Sequence, residues 1–361
     1  MHILIGARGL AACALLPAVV LVGIATAPAT FVAPSATADL ATRFPAAPEP
    51  VVTWWPERPV QGRLFVVRVA AAVAARSVAT GAGIPPVAAV GTPSAVATGS
   101  RAPDGAAGDA VQSVEGEAAG EPLHFVPAAD DAFESLAPVP VDAEGTLLVA
   151  LTVGRADGRV EPLQARVPVG EGEYRHERLT VAPAFGRPPD EAASARLASD
   201  RAKAREVSRL AHETPRLWTE EIVMPREARV TSGFGDGRVF NGQVSSRHMG
   251  LDLDGDPGAP VTAAARGVVA LVDEFLLAGK IVYVNHGGGL VSGYFHLSEQ
   301  LVAVGDTVYP GTPIGRVGAT GRVTGPHLHW VVRYGYTSVD PRSLLDMRDA
   351  AAAAAAASGG A

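Results

Sequence analysis

The chain has 361 residues, too many for one average compact core, and this length suits two or three modest units. Its formal net charge of -7 provides no electrostatic attraction for nucleic acid or an anionic membrane surface, so neither is expected as a partner. The single cysteine, Cys13, lies near the N-terminus, so a chain cleaved after it has neither disulfides nor Cys-ligated metals.

The N-terminal segment has the order of a secretory signal peptide. An apolar run over 10–24 follows Arg8 and precedes small residues that end at Ala38. This run is shorter than the roughly 20 residues needed to span a bilayer. We therefore predict a signal peptide at 1–38 and export to the periplasm or the extracellular cell wall. Lipoprotein anchoring at Cys13 is disfavoured because the apolar stretch before it is short and broken.

The next segment, 50–182, contains short Val-rich runs between Pro and Gly residues, a pattern typical of strands. Within it, residues 77–122 consist largely of Ala, Gly, Pro, Ser and Thr, a composition that predicts disorder. We predict a β-sandwich over 50–182 that carries a disordered loop at about 77–122.

The rest of the chain divides into three parts. Residues 183–216 are rich in Ala, Arg, Glu and Asp, which predicts a helical connector. Residues 217–348 alternate apolar runs with Gly turns and predict an all-β domain, and 349–361 form a low-complexity, disordered tail. The predicted fold class is therefore mainly β.

The predicted all-β domain contains a histidine and an aspartate four residues apart, His248 and Asp252. In a fully extended strand their Cα atoms would lie about 13 Å apart, too far for two parallel side chains to share one ion. Gly250 allows the chain to bend between them. We predict that His248 lies in a loop that enters a strand carrying Asp252.

A second pair, His327 and His329, is two residues apart and projects from one face of a predicted strand. One of the two imidazoles can bind a metal while the other reaches a neighbouring water molecule. Together with His248, Asp252 and His296 on the same predicted sheet, this pair indicates a zinc site.

The run from about 230 to 345 resembles the lysostaphin and LytM type of zinc metallopeptidase, which has the duplicated-hybrid-motif fold. The resemblance implies that His248, Asp252 and His329 bind zinc and that His296 and His327 assist catalysis. Besides the two spaced pairs, the matching motifs are Ser232-Gly233-Phe234-Gly235, Ala264-Ala265-Arg266-Gly267-Val268-Val269, His286-Gly287, Tyr294-Phe295-His296-Leu297-Ser298, Val304-Gly305-Asp306-Thr307-Val308 and the run from Gly321 to His329.

Two further inferences depend on this resemblance. The segment before the matched run looks like the Ig-like domain and helix that precede the catalytic domain in some exported bacterial homologues. In some family members an upstream asparagine occupies the open zinc position in a latent form, and Asn241 is placed suitably for that role. Asn241 is alternatively a turn residue beside Gly242, and His286 is better explained as a structural histidine at the end of a strand.

The predicted function is that of an exported zinc-dependent endopeptidase that hydrolyses peptide bonds in peptidoglycan cross-links or bridges through a zinc-activated water. The sequence has no HExxH glutamate, so His327 is the expected base. His296 would orient the water or stabilise the oxyanion, and these two roles are exchangeable. Peptidoglycan peptides are the expected substrate. A regulatory protein partner is also considered, because the upstream half is predicted to restrain a catalytic domain comprising 217–348.

Three alternatives remain open. A catalytically silent hydrolase activator, or a wall-binding protein of the same fold, would be expected to lose zinc ligands. A biotin or lipoyl carrier would use the hairpin at 304–311, but it needs a lysine on a turn, and Lys280 is the domain's only lysine. An adhesin-like structural protein would not require the histidines.

Overall fold

The computed structural model describes residues 50–71, 110–219 and 222–347. The predicted signal peptide (1–38) and the predicted tail (349–361) lie outside these described residues, as does most of the predicted loop. In the described part the fold is mainly β, as predicted, and none of its helices is long and apolar enough to cross a membrane.

The upstream part contains two four-stranded antiparallel sheets, ordered β1-β2-β6-β5 and β4-β3-β7-β8. Alternate residues of their central strands are buried, among them Phe65 and Val67 in one sheet and Val149 and Leu151 in the other. These side chains belong to one core, so one face of each sheet is apolar and the other is solvated. The Ig-like assignment stays a prediction. The strands are β1 (Val51–Trp55), β2 (Leu64–Ala70), β3 (Val111–Ala118), β4 (Glu121–Leu123), β5 (Val126–Ala128), β6 (Ala132–Pro138), β7 (Thr146–Arg155) and β8 (Val160–Pro168).

The prediction of a disordered loop at 77–122 is wrong over its last part, which forms β3 and most of β4. Strand β3 pairs with β7 along its whole length and buries Val114 and Ala118 in the core. The composition there is poor in large apolar residues, but the backbone hydrogen bonds of a neighbouring strand stabilise the extended chain without them.

A short strand, β9 (His176–Leu179), precedes the long helix α1 (Glu191–Glu213), which lies within the predicted connector. The side chain of Asp190 caps the helix by accepting a hydrogen bond from the Ala193 backbone N–H at 2.8 Å. One face of α1 is buried through Ala204, Val207 and Ala211. The helix therefore packs against the protein rather than crossing solvent.

The downstream part is built around a ten-stranded antiparallel sheet. Its main path runs β10-β13-β20-β17-β16-β15-β18; β14 and β19 attach through β17, and β21 pairs with β20. The chain continues into a short helical stretch at 342–347. The strands are β10 (Val230–Ser232), β11 (Gly237–Phe240), β12 (Val244–Arg247), β13 (Leu251–Asp254), β14 (Pro260–Thr262), β15 (Gly267–Phe275), β16 (Gly279–Gly287), β17 (Leu290–Gln300), β18 (Thr307–Val308), β19 (Pro313–Val317), β20 (His327–Tyr334) and β21 (Thr337–Val339).

The two central strands of this sheet, β16 and β17, are buried on both faces. On one face α1 packs against Ile281, Tyr283 and Val291. The other face contributes Tyr294 and Leu297 to the larger core. Because the helix covers part of a sheet face, the remainder of that face is left for a cleft.

A third, three-stranded sheet joins regions that are distant in sequence. Strands β11 and β12 form an antiparallel hairpin, and β9 pairs in parallel with β11, placing Glu177 opposite Arg238. The predicted boundary at 182 therefore does not coincide with a break in packing, because a strand upstream of the helix extends a hairpin of the downstream part. Parallel pairing needs a long connection, and the segment containing α1 provides it.

Candidate metal centre

Three side chains converge at one end of the sheet face that α1 leaves uncovered. Strand β13 pairs with β20 in a register that places Asp252 directly opposite His329. His248 lies just beyond the end of β12, and Met249 and Gly250 turn the chain into β13. The structure therefore places His248 in a loop and Asp252 in the strand that follows it, which is the arrangement that the sequence predicts.

The bend between His248 and Asp252 requires a glycine. A Cβ atom at position 250 would lie 2.6 Å from the backbone oxygen of Trp330 and 2.8 Å from the ring of His329. Strand β20 thus approaches the turn too closely for any other residue type. This close approach brings the three side chains together.

The potential ligand atoms form a compact triangle. Asp252 Oδ1 lies 3.0 Å from His248 Nε2 and 2.7 Å from His329 Nδ1, and the two histidine nitrogens are 2.9 Å apart. In the described part of the chain, this is the one group of three or more His, Cys, Asp or Glu side chains that could hold a metal ion. We call these three residues the metal centre.

The donor set suits zinc. Two imidazole nitrogens and one carboxylate oxygen are common zinc ligands, and tetrahedral bonds of about 2.0–2.1 Å separate neighbouring donors by roughly 3.3 Å. The three donors need to separate by only a few tenths of an ångström to reach that spacing. Burial lowers the pKa of His329 to about 4, so its ring is neutral at pH 7 and offers a lone pair.

In His248 and Asp252, the side-chain atom that faces away from the metal centre makes a hydrogen bond to another protein group. His248 Nδ1 donates to the backbone oxygen of Gly233 at 2.6 Å, which leaves Nε2 to face the metal centre. Asp252 Oδ2 accepts a hydrogen bond from Arg238 Nη2 at 2.7 Å. Burial alone would raise the pKa of Asp252, but hydrogen bonds to His248 and His329 outweigh it and hold the pKa well below its usual range.

Arg238 is itself fixed by Ser232, from one of the matched motifs, and by Glu177, which the sequence did not indicate. Its Nε donates to Glu177 Oε2 at 2.9 Å, and its Nη2 also contacts the hydroxyl of Ser232 at 2.7 Å. Ser232 donates in turn to Glu177 Oε1 at 3.0 Å. Strand β9 thus supplies a carboxylate that orients the arginine behind a proposed metal ligand. Glu177 and Arg238 are 61 positions apart, so no local motif could have revealed the pair.

Two more histidines flank the metal centre. His327 Nδ1 donates to the backbone oxygen of Gly325 at 2.8 Å, and His327 Nε2 lies 3.5 Å from Asp252 Oδ1. His296 Nδ1 donates to the backbone oxygen of Thr320 at 2.8 Å. The His296 and His327 rings are 5.0 Å apart between centroids. Each ring is therefore held through Nδ1, which leaves Nε2 free to accept a proton.

The backbone at His296 is unusual. Its φ is +63°, in the left-handed region that non-glycine residues seldom adopt, and the register between β16 and β17 shifts at this point. Such a bulge redirects a side chain that regular alternation would place elsewhere. Burial, followed by the nearby His329 and His327, lowers the pKa of His296 well below its usual value, so the ring is neutral.

The metal centre lies in a cleft of about 470 Å³. Arg322 stacks over the ring of Phe240 on one wall, with its guanidinium carbon 4.0 Å from the ring centroid. Leu277 and Ala278 form an apolar part of the lining. All five converging side chains line this cleft.

Asn241 is not placed as a metal ligand. Its Oδ1 accepts a hydrogen bond from the Val181 backbone N–H at 3.0 Å, and its Nδ2 donates to the Val181 oxygen at 3.1 Å. Its φ of +48° fits the turn between β11 and β12. In this conformation both ends of its amide hold the chain next to β9, and the role of Asn241 as a latent zinc ligand stays a prediction.

His286 lies away from the metal centre, at the end of β16. It donates from Nδ1 to the Arg266 oxygen at 2.8 Å, and its Nε2 lies 2.7 Å from the Ser292 hydroxyl. Burial lowers the pKa of His286 to about 4. Its contacts are those of a structural histidine.

The sequence of the downstream part matches a known protein family. Residues 246–341 match the model of peptidase family M23. Two curated relatives come from Vibrio cholerae serotype O1. Peptidoglycan DD-endopeptidase ShyC is 37% identical over 118 residues, which cover 32% of this chain and 27% of that protein. Peptidoglycan DD-endopeptidase ShyA is 40% identical over 105 residues, which cover 28% of this chain and 24% of that protein.

The matched segment therefore spans only about a quarter of each relative. A solved structure described as a putative peptidase M23 from Pseudomonas aeruginosa is similar over more of the chain. It is 25% identical, with a TM-score of 0.53, and the match covers 80% of this chain and 95% of that one. The motifs, the converging side chains and the family match agree, and we conclude that the C-terminal region of this chain is a peptidase family M23 domain.

Proposed function

We propose that this protein is an exported zinc metalloendopeptidase that hydrolyses peptide bonds in peptidoglycan, with the DD cross-link as its substrate. The observation that carries the proposal is the convergence of His248, Asp252 and His329 beside His296 and His327 in an open cleft. The names of the relatives ShyC and ShyA support the choice of bond.

In this proposal the metal centre holds one zinc ion through His248 Nε2, Asp252 Oδ1 and His329 Nδ1. Zinc, when bound there, polarises the scissile carbonyl and lowers the pKa of a water molecule to about 7. Arg238 stabilises the carboxylate of Asp252 in the ionised form that metal binding requires.

His327 acts as the general base. Its Nδ1 proton is committed to the Gly325 oxygen, so Nε2 can take a proton from the attacking water and later deliver it to the leaving amine. His296 accepts a hydrogen bond from the same water at Nε2, because its own Nδ1 proton is held by Thr320. Fixed rings of this kind position the water before the reaction begins.

The alternative of a silent activator or wall-binding protein predicts a broken ligand set. The three converging donors and their hydrogen-bonded outer atoms support catalysis instead.

Digestion of defined peptidoglycan fragments tests the proposal. The zinc-loaded full chain should convert cross-linked muropeptide dimers to monomers, detected by mass spectrometry, and His329→Ala should leave the dimers intact. Glu299→Gln, which alters an exposed carboxylate paired with Arg316, serves as the matched control and should cleave normally. Intact dimers after incubation with zinc-loaded wild type, or unchanged cleavage by His329→Ala, would contradict the proposed function.

A further inference from the structure

A second cavity lies between α1 and the downstream sheet. It has a volume of about 370 Å³ and is lined on the helix side by Arg201 and Arg205 and on the sheet side by Tyr283 and Arg333. We call it the α1 pocket. Three cationic side chains around one small cavity favour an anionic occupant.

The charges of the α1 pocket are not neutralised within the described part of the chain. Arg333 has two guanidinium nitrogens, Nε and Nη1, that are buried without a hydrogen-bond partner. An arginine stays charged in proteins, and burying its N–H groups unpaired is costly. The pocket therefore carries cationic charge that no acidic group in the described part of the chain neutralises.

The helix arginines differ in their pairing. Arg196 pairs with Asp200, and Arg209 pairs with Glu206 and Glu213. Arg201 and Arg205 are exposed, lie four positions apart on one helix face, and make no ion pair with any described residue. The unpaired arginines of the helix are thus those that line the pocket.

Asp200, the one acidic residue that lines the pocket, cannot serve as their counterion. Its Oδ1 accepts a hydrogen bond from Arg196 at 3.0 Å, and its Oδ2 accepts one from the Leu276 backbone N–H at 2.8 Å. Both oxygens are therefore occupied by groups outside the arginine cluster.

The α1 pocket adjoins the catalytic cleft. Leu277 and Ala278 line both cavities. Arg333 also follows His327, His329 and Val331 along one face of β20, because alternate residues of a strand share a face. Arg333 and His329 are thus about 13 Å apart at the backbone, a distance that about four residues of extended peptide can span.

We infer that the α1 pocket is a carboxylate-binding subsite, which holds an acidic group of the peptide whose bond is cleaved beside His329. This inference rests on the proposed function for its substrate. The chemical basis of this inference is that guanidinium groups, such as those of the three arginines, form charge-assisted hydrogen bonds with a carboxylate. The helix that covers the sheet thereby contributes to substrate selection.

Binding measurements test the subsite without requiring turnover. Catalytically impaired, zinc-loaded His327→Ala protein is titrated with two versions of one cross-linked peptide, one with free carboxylates and one with the carboxylates amidated. We expect the free form to bind about tenfold more tightly. In the His327→Ala protein, the further substitutions Arg201→Gln and Arg205→Gln together should abolish the preference for the free-carboxylate peptide. As a control, Arg58→Gln combined with Arg166→Gln removes the same charge from two exposed positions of the upstream part and should keep the preference.

The outcomes separate the two proposals. Equal binding of the free and amidated peptides overturns the subsite, even if the enzyme cleaves both. A preference for free carboxylates that survives the Arg201 and Arg205 changes also overturns it. Strong competition by inorganic phosphate, with no preference between the peptides, would assign the pocket to a phosphate-bearing ligand instead. Failure of the wild type to cleave any dimer overturns the proposed function but leaves the binding preference as a separate result.

Arg333 provides a second test that a purely structural role would fail. Arg333→Met removes a partly buried, unpaired charge and keeps a side chain of similar length, so the thermal unfolding temperature should be unchanged or higher. The same change should reduce the preference for free carboxylates. A large fall in unfolding temperature, together with an unaltered preference, would show that Arg333 only supports the fold.

Discussion

Two clusters of this protein contain the same side chains in different arrangements. The metal centre has two histidines and one carboxylate, and so does the group formed by Glu121, His124 and His212, which we call the junction cluster. It joins the upstream sheets, α1 and the downstream sheet. His212 lies between its partners, with Nδ1 2.8 Å from His124 Nε2 and Nε2 3.1 Å from Glu121 Oε2.

The difference lies in geometry rather than composition. In the metal centre three donor atoms approach one point, whereas the junction cluster uses opposite sides of one ring to form a line. The carboxylate of Glu121 is also committed to the downstream sheet, where Oε1 accepts hydrogen bonds from the Tyr336 N–H and the Thr337 hydroxyl. A set of two histidines and an acid therefore indicates a metal only when their free atoms converge.

The largest expected effect separates the two clusters by zinc content. Asp252→Asn removes the charged ligand, and we expect bound zinc to fall from about one ion per chain to a trace. Glu121→Gln should retain the full amount, because its carboxylate holds protein groups only. Elemental analysis of protein purified without chelator measures both. Undiminished zinc in Asp252→Asn, or loss of zinc in Glu121→Gln, would remove the distinction.

The next effect concerns the histidines beside the metal centre. His327→Ala and His296→Ala should each keep zinc and lose about 10²- to 10⁴-fold in hydrolysis rate, the usual contribution of general acid–base catalysis. His124→Ala, from the junction cluster, is the matched control and should keep its rate. Zinc loss in either active-site variant would make that histidine a ligand, and full activity in both would leave the reaction without a base.

A buried histidine outside both clusters provides a pH reference. The pKa of His286 is lowered to about 4 from an ordinary value near 6.5, so the unfolded chain binds a proton in this range and the folded chain does not. His286 alone should therefore lower folding stability by about 3 kcal/mol as the pH drops from 6.5 to 4. Burial and His212 lower the pKa of His124 as well, so its contribution has the same sign.

Urea unfolding of wild type and His286→Gln between pH 4 and 8 measures this contribution. The variant should show a shallower loss of stability on acidification, whatever its stability at neutral pH. Parallel pH profiles for the two proteins would contradict the assignment of His286 as a histidine buried in the neutral form.

The smallest effect tests the support behind the metal centre. Arg238→Gln removes the charge that contacts Asp252 Oδ2 and should weaken zinc binding about 10- to 100-fold, which competition with a chelator measures. Arg322→Gln lines the same cleft and is the control, because its guanidinium stacks on Phe240 instead. Equal zinc affinity in the wild type, Arg238→Gln and Arg322→Gln would show that Arg238 does not position Asp252.

The sequence predicted the centre of this site better than its surroundings. The spacing of His248 with Asp252 and of His327 with His329 singled out these residues without a structure, and the family resemblance implied which of them are ligands. Glu177 could not be found in this way, because its position depends on the parallel pairing of β9 with β11, and such pairing leaves no local pattern.

Sequence patterns also could not predict that α1 packs on the downstream sheet. Its composition predicts a helix, but the fit of Val207 and Ala211 against the sheet depends on side chains from β16 and β17. The prediction that the upstream half restrains a catalytic domain, and hence that the fragment 217–348 alone cleaves faster, treats the connector as separable from that domain. That fragment lacks both Glu177 and the helix that covers an apolar sheet face. Restraint predicts higher activity in this fragment, whereas the absence of Glu177 and the helix acts in the opposite direction. Lower activity would therefore not by itself disprove restraint.

The left-handed backbone at His296 is a strained conformation held by its surroundings. A non-glycine residue there costs roughly 1 kcal/mol or more. The buried imidazole offsets that cost, because it donates to the Thr320 oxygen and packs against the rings of His327 and His329. Glycine would relieve the strain but leave a cavity beside the metal centre, so this position tolerates the histidine only as part of the complete group of rings.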